Sequence, residues 1–511
     1  MTLGEIVRRN ARRYPEKTAL VSERLRFSFA EFNRRVNSIA NALIALGMQK
    51  GDRVAILLDN CHQFVELYFA IPKAGGIAVP INLALSEDEM AYIVNNAEAK
   101  LLAFGERFAS LADSLRKRLD SVKGFVAVGN SSQDIPSYEQ LIARYPPSEP
   151  EVRVEEGDTA YLLYTSGTTG LPKGIMVSHR GMIESGLDYL LGYRLRPSDI
   201  GLVSVPLFWG AGLFVVLVPD FYFGCTAVLA SDFAPESILA LIQRERVTTG
   251  FMVPSLITGL LECPQLSNYD TSSLRHIWFG GAPMAAETLK RATRIFGNVF
   301  FQLYGLVEIT PIAYIPPEEQ VIEGPAEKVK RLASCGRESC NVEVKIVDEE
   351  DREVARGQVG EVIARGDNVM KGYWGMPQAT EETLKGGYVH TGDLAMMDEE
   401  GYIYLVGRKK DLIMSGGKAI YPVEVEEVLY QHPAVVEAAV IGVPDARLGE
   451  SVKAIVVVRE GDSITEDDLL EFCRQRLPEQ ARPRSVIFVD KLPRNPSGKI
   501  LKRVLREKFQ S

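Results

Sequence analysis

The chain has 511 residues, 46% hydrophobic and 24% charged, which is apolar material for two to four packed units and excludes a disordered or fibrous chain. A net charge of −9 argues against a nucleic-acid binder, because affinity for a phosphate backbone needs a basic surface. Six scattered cysteines are too few for a disulfide scaffold and lack partners at metal-ligand spacing, so they read as reduced thiols of a cytoplasmic protein.

Glu5, Arg8, Arg9, Arg12 and Arg13 break any apolar signal-peptide core at the N-terminus. Residues 29–46 carry helical periodicity through Phe32, Val36, Ile39, Ala40 and Leu43 and stop at Gly47. Arg53–Leu58 reads as a short apolar strand and Glu66–Gly75 as a helix. Ser86 and Glu89 form a capping box that opens a helix to about Asn96. Leu101–Phe104 and Gly124–Val128 are further strands. This β–α alternation predicts a parallel, doubly wound sheet, and a second run of the same kind covers about 160–310. In that run, Asp220 is the only charge between Gly201 and Ala230. The stretch is long enough to span a bilayer, but Pro206, Pro219 and several glycines interrupt it. Buried strands and a short helix are predicted there, with no transmembrane segment. Pro235 opens a helix, and 251–253 and His276–Phe279 are buried-strand candidates.

From about 335 to 407 short strands (Val342–Val347, Gly360–Ala364, Tyr402–Val406) alternate with Gly and Asp turns, a β-rich section. Beyond the charged junction 407–410 lies a unit of about 100 residues with its own β–α alternation: helix Val425–Tyr430, strands Val435–Gly442 and Lys453–Val458, helix Thr465–Arg476. The predicted organisation is therefore an α/β domain, 1–408, of two doubly wound subdomains plus a β-rich one, and a small α+β domain, 409–511. From Arg482 onward nine Lys or Arg stand against two acids, a basic stretch suited to a polyphosphate ligand or to a solvated helix face.

The densest chemical signal follows the predicted strand 160–164. Thr165, Ser166, Gly167, Thr168, Thr169, Gly170, Leu171, Pro172, Lys173 and Gly174 combine three glycines, four hydroxyls and an ammonium. Glycines allow consecutive N–H groups to converge on an anion, so the run reads as a phosphate cradle. It is not a Walker A loop, because no Gly-Lys-Ser/Thr follows.

With this loop in place, the sequence resembles the adenylate-forming (ANL) superfamily of acyl-CoA synthetases over essentially its whole length. Gly280-Gly281-Ala282-Pro283 resembles the turn lining the adenine and acyl pockets. Gln302 to Glu308 is similar to the Tyr-Gly-x-Thr-Glu motif. The resemblance implies that Tyr304 stacks on adenine, that Gly305 and Val307 lie along the nucleotide and that Glu308 holds Mg²⁺. His390-Thr391-Gly392-Asp393 resembles the motif whose Asp binds ribose hydroxyls, and Gly407 to Asp411 the interdomain junction. Arg408 would then reach the ribose and Lys410 would be the hinge. Ser415-Gly416-Gly417 resembles the loop that admits the pantetheine arm of coenzyme A. Pro493 to Lys499 resembles the loop carrying the catalytic lysine, here Lys499. Phe208, Trp209, Phe214, Gly280, Gly305 and Leu306 would line the acyl pocket.

Two positions depart from the family pattern. Val307 stands where a Thr hydroxyl usually contacts the α-phosphate, and Trp209 stands where many relatives have a His. The activity implied is ATP-dependent conversion of a carboxylic acid to its acyl-adenylate and then to a CoA thioester. Loading of a carrier protein is the alternative, and the resemblance leaves a homodimer open. The acyl pocket is apolar, and no acid lies between Ile200 and Pro219 to pair with an amino-acid ammonium. The expected substrate is therefore a fatty, alicyclic or aromatic monocarboxylate.

Overall fold

The computed structural model describes residues 1–130, 134–165, 172–282, 284–459, 461–494 and 500–510. Within them the chain forms two compact units. The first is drawn from Met1–Gly167, Leu171–Val344 and Ala364–Val389, the second from Lys345–Ile363 and His390–Ser511.

The first unit holds two sheets. One is ordered Gly372–Tyr373, Lys173–Ser178, Thr159–Thr165, Ile77–Pro80, Arg53–Leu57, Leu101–Gly105 and Gly124–Val128. Its last five strands are parallel, and Lys173–Ser178 joins them antiparallel to Thr159–Thr165. The other sheet has nine strands. Thr18–Ser22, Thr226–Leu229, Ile200–Val203, Thr249–Met252, His276–Phe279 and Phe300–Leu306 are parallel neighbours, and Ile309–Ile315 returns antiparallel beside the last.

Both sheets are buried on both faces, as the near-continuous apolar strands require. In Arg53–Leu57, Val54 and Ile56 face one core while Ala55 and Leu57 face another. In the larger sheet Val203, Phe251 and Trp278 enter that same first core, and Leu202, Met252 and Ile277 enter a third. One apolar layer thus lies between the two sheets. The helices Phe29–Ala45 and His62–Lys73 contribute Phe32, Phe64 and Phe69 to it.

Helix starts follow their caps. Ser28 with Glu31 and Ser86 with Glu89 form reciprocal capping boxes that open Phe29–Ala45 and Glu87–Asn96. Gly47 takes a positive φ of 96° just past the end of Phe29–Ala45. The helix expected from Glu66 begins earlier, at His62, because Cys61 is the extended residue before it.

The uncharged stretch around Asp220 folds as the strand Ile200–Val203, a π-helical turn Gly212–Leu217, the helix Val218–Phe223 and the strand Thr226–Leu229. No helix among the described residues is long and apolar enough to cross a membrane.

The second unit carries a hairpin that pairs residues 393–397 with Ile403–Arg408, and a sheet ordered Lys418–Ile420, Ile413–Ser415, Gly449–Val458, Val435–Asp445, with Ser485–Phe488 beside Gly449–Val458. Helices Pro422–Tyr430 and Glu466–Arg474 pack Val425, Leu429, Leu469 and Cys473 onto the latter sheet. Residues 409–511 lie in this unit.

Asp220 is fully buried, and its Oδ2 has no hydrogen-bond partner among the described residues. Burial, and then the nearby Asp199, push its carboxyl well above the usual carboxylate range. The folded chain therefore keeps a proton that the unfolded chain releases above about pH 4. Stability contributed by this group is present at low pH and falls as pH rises from that value toward the folded one. Asp220→Asn should flatten this part of the pH dependence, read from unfolding midpoints at pH 5 and pH 8. Parallel curves for the two proteins would contradict the assignment.

Candidate active site

The predicted site residues of the first unit sit where its parallel strands end. Thr165 closes Thr159–Thr165 and pairs across the ladder with Lys173, which opens Lys173–Ser178. The run expected to cradle phosphate therefore connects two antiparallel strands, with Thr165 and Lys173 paired at its base. Ser166, Gly167, Thr168, Thr169 and Gly170 lie outside the described residues.

In the nine-stranded sheet the same edge collects the other groups. Phe208 and Trp209 follow Ile200–Val203, Gly280, Gly281 and Ala282 follow His276–Phe279, and Tyr304, Gly305 and Leu306 finish Phe300–Leu306. In parallel α/β sheets this carboxyl edge is where ligands bind, because backbone and helix starts converge there. Gly281 has φ of 82°, a conformation that favours glycine. At Gly280 a β-carbon would sit 2.7 Å from the carbonyl oxygen of Leu303, and at Gly305 it would sit 2.7 Å from Thr310 Oγ1. The Leu303 backbone requires the first glycine and the Thr310 side chain the second, on the strand that carries the buried Tyr304.

Val307 and Glu308 form the turn from Phe300–Leu306 into Ile309–Ile315. Val307 packs its side chain against the apolar layer between the sheets. Glu308 is held on both ends. Its backbone carbonyl accepts the Met370 N–H at 2.8 Å, and its carboxylate Oε1 accepts the hydroxyl of Tyr373 at 2.8 Å. The Lys173 ammonium lies 4.8 Å from the centroid of the same tyrosine ring. Tyr373 thus joins the cradle lysine to the acid, and the sequence reading missed it. Its only local mark is an aromatic after Gly372, and the relevant neighbours are 65 residues away for Glu308 and 200 away for Lys173.

Phe214 is buried in the apolar layer, while Phe208 and Trp209 pack against it half-buried and edge-to-face, with centroids 6.1 Å apart. The indole Nε1–H of Trp209 has no partner among the described residues.

In the second unit Asp393 and Arg408 are ladder partners, and Arg408 Nε donates to Asp393 Oδ1 at 2.8 Å. Asp393 is buried, so this pair fixes the carboxylate. Glu361, which the sequence reading also missed, braces the same turn. It accepts the Gly392 N–H at 3.1 Å and pairs with the Lys409 ammonium at 3.1 Å. Lys410 is exposed in the short turn Lys409–Asp411, and Asp411 pairs with Arg506 of the last helix at 2.7 Å. Ser415 is buried and faces Lys418 across a tight hairpin. Gly416 and Gly417 have φ of 58° and 77°, the two positive angles of a type I′ turn, so their glycine identity follows from the hairpin. Lys499 lies outside the described residues.

The family model of AMP-binding enzymes matches residues 7–374, and that of the AMP-binding enzyme C-terminal domain matches 424–499. A feruloyl-CoA synthase of Amycolatopsis sp is 38% identical, covering 99% of this chain and 99% of that protein. The fatty acid–[acyl-carrier-protein] ligase ScoC of Streptomyces coeruleorubidus is 34% identical, covering 99% and 96%. The crystal structure of ATP-bound MatB from Rhodopseudomonas palustris superposes with a TM-score of 0.89 at 31% identity, covering 100% of this chain and 99% of that one.

Gly280→Ala would force the Leu303 carbonyl, and with it the strand bearing Tyr304, to move. The expected cost is roughly 1–3 kcal/mol, as for other overpacked positions, read by denaturant unfolding. Undiminished stability would mean that the strand yields freely.

Proposed function

This chain belongs to the AMP-binding enzyme family of adenylate-forming ligases, and from that premise we propose how its residues carry out an acyl-CoA ligase reaction. The enzyme is an acid–thiol ligase using ATP and CoA. In the first half-reaction a substrate carboxylate oxygen attacks the α-phosphorus of ATP, the bond to the β-phosphate oxygen breaks and pyrophosphate leaves. In the second, the sulfur of CoA attacks the acyl carbon, the acyl–oxygen bond breaks, AMP leaves and the thiol proton is released.

The observation that carries this reading is the meeting of Lys173 and Glu308 around Tyr373, at the carboxyl edge of the parallel strands. The loop from Thr165 to Lys173, with Ser166, Gly167, Thr168, Thr169 and Gly170, cradles the phosphates. Mg²⁺ fits Glu308. This hard cation is usually held by one or two carboxylates plus substrate phosphates, and the described residues contain no cluster of three acids that would bind it without them. When bound, it neutralises charge on the phosphate oxygens.

Tyr304, flanked by Gly281, Ala282 and Gly305, receives the adenine. Asp393 accepts the ribose hydroxyls, aimed by Arg408. Val307 offers the α-phosphate only its backbone N–H. Lys499 offsets the negative charge that develops between carboxylate and α-phosphate. Ser415, Gly416 and Gly417 give the thiol arm a narrow hairpin to pass. Lys410 is the hinge at which residues 409–511 turn between the two half-reactions, separate from the domain of 1–408.

Phe208, Trp209, Phe214, Gly280 and Leu306 make an apolar acyl pocket, which supports a fatty, alicyclic or aromatic monocarboxylate. The similarity to ScoC favours carrier-protein loading as the second reading. The free cysteines suit the cytoplasm.

Lys499→Ala should lower the rate of pyrophosphate release on the order of 10²–10³-fold, as for loss of one stabilising donor, and near-normal release would remove it from the chemistry. Lys410→Pro should leave acyl-AMP formation close to normal and slow thioester formation, each followed in single-turnover assays. Both half-reactions proceeding at the unmodified enzyme's rates would refute the hinge.

A further inference from the structure

Tyr373 is held more firmly than a pocket-lining residue requires. Gly372 and Tyr373 form an edge strand on Lys173–Ser178, in register with Met176 and Ile175. The Tyr373 N–H donates to Thr380 Oγ1 at 2.9 Å, and the following Trp374 donates its N–H to the Gly174 carbonyl at 2.8 Å. The Trp374 indole donates to the Asn96 carbonyl at 3.1 Å and lies under the Arg53 guanidinium. The tyrosine ring is therefore fixed relative to the start of the strand that carries Lys173.

From this fixed position the side chain reaches two charges of opposite sign. The hydroxyl donates to one oxygen of Glu308 at 2.8 Å, and the π-face meets the Lys173 ammonium at 4.8 Å. A carboxylate with one oxygen engaged keeps the other, Oε2, for a cation. Lys173 and Glu308 belong to different sheets, and both contacts converge on this one ring. A phenol is protonated at neutral pH, so the hydroxyl is the donor and the carboxylate the acceptor.

We propose that Tyr373 is a positioning residue for the first half-reaction, orienting the Glu308 carboxylate toward the magnesium of MgATP with its hydroxyl and the Lys173 ammonium toward the phosphates with its ring. This rests on the reading of Glu308 as the metal carboxylate. The two functions are separable, since phenylalanine keeps the ring and loses the hydroxyl.

The test compares the unmodified enzyme with Tyr373→Phe, Tyr373→Leu and Glu308→Gln. Two readouts apply: the Mg²⁺ concentration giving half-maximal pyrophosphate release, and the affinity for Mn²⁺·ATP followed by electron paramagnetic resonance of the bound manganese. Tyr373→Phe should raise the Mg²⁺ requirement and weaken Mn²⁺·ATP about tenfold, in line with loss of a hydrogen bond to a charged group, with KM for ATP at saturating Mg²⁺ unchanged. Tyr373→Leu should raise that KM as well. Glu308→Gln should shift the metal dependence at least as far as Tyr373→Phe. A Tyr373→Phe enzyme with unaltered metal dependence, beside a Glu308→Gln enzyme that is shifted, would overturn the role of Tyr373 alone. Unaltered metal dependence in Glu308→Gln would overturn the metal reading of Glu308 and the role of Tyr373 with it.

Discussion

Parallel strands leave their carboxyl ends together on one edge of a sheet, and the chemistry of the first unit is built on that constraint. Ile200–Val203, His276–Phe279 and Phe300–Leu306 run side by side and deliver Trp209, the Gly280–Ala282 turn and Tyr304 to the same edge. Both faces of the sheet are buried, so the edge cannot tilt without opening two cores. Small residues are then obligatory where backbones crowd. Gly280 against Leu303 and Gly305 against Thr310 are packing requirements before they are ligand requirements.

Two antiparallel returns complete the site. Thr159–Thr165 with Lys173–Ser178, and Phe300–Leu306 with Ile309–Ile315, are hairpins added to otherwise parallel sheets, and each presents a charged residue where the chain reverses. Lys173 belongs to one sheet and Glu308 to the other, and Tyr373 touches both. In the second unit a hairpin again does this work. Register alone places Asp393 opposite Arg408, and Glu361 fixes the turn that leads into Asp393. The Asp393 carboxylate is thus fixed within its own unit, and a carboxylate fixed in advance lowers the ordering cost of any ligand it accepts.

Much of this was legible in the sequence because it is local. The capping box at Ser86, glycine stops such as Gly47 and uninterrupted apolar strands mark the elements to within a few residues. The motifs legible in sequence are those whose residues are contiguous: the cradle, the turn before Glu308, the stretch around Asp393. The π-helical turn Gly212–Leu217, whose Phe214, Val215 and Val216 are buried in the surrounding core, carries no local sequence signature. The two hairpins were hidden for a different reason. Their connections, residues 166–172 and 307–308, lack the Asn-Gly type of turn that announces a hairpin. Tyr373 and Glu361 act through partners distant in the chain, so no spacing rule reaches them.

Transfer of an apolar acyl group to CoA through an adenylate is measured most directly by AMP release. Purified enzyme would be given ATP, Mg²⁺ and, one at a time, fatty, alicyclic and aromatic monocarboxylates, with and without CoA. AMP and acyl-CoA are expected in equal amounts with at least one such acid, with turnover only when CoA is present. Pyrophosphate release with every active acid, but no CoA-dependent turnover with any, would contradict transfer to CoA and assign the acyl group to a carrier protein.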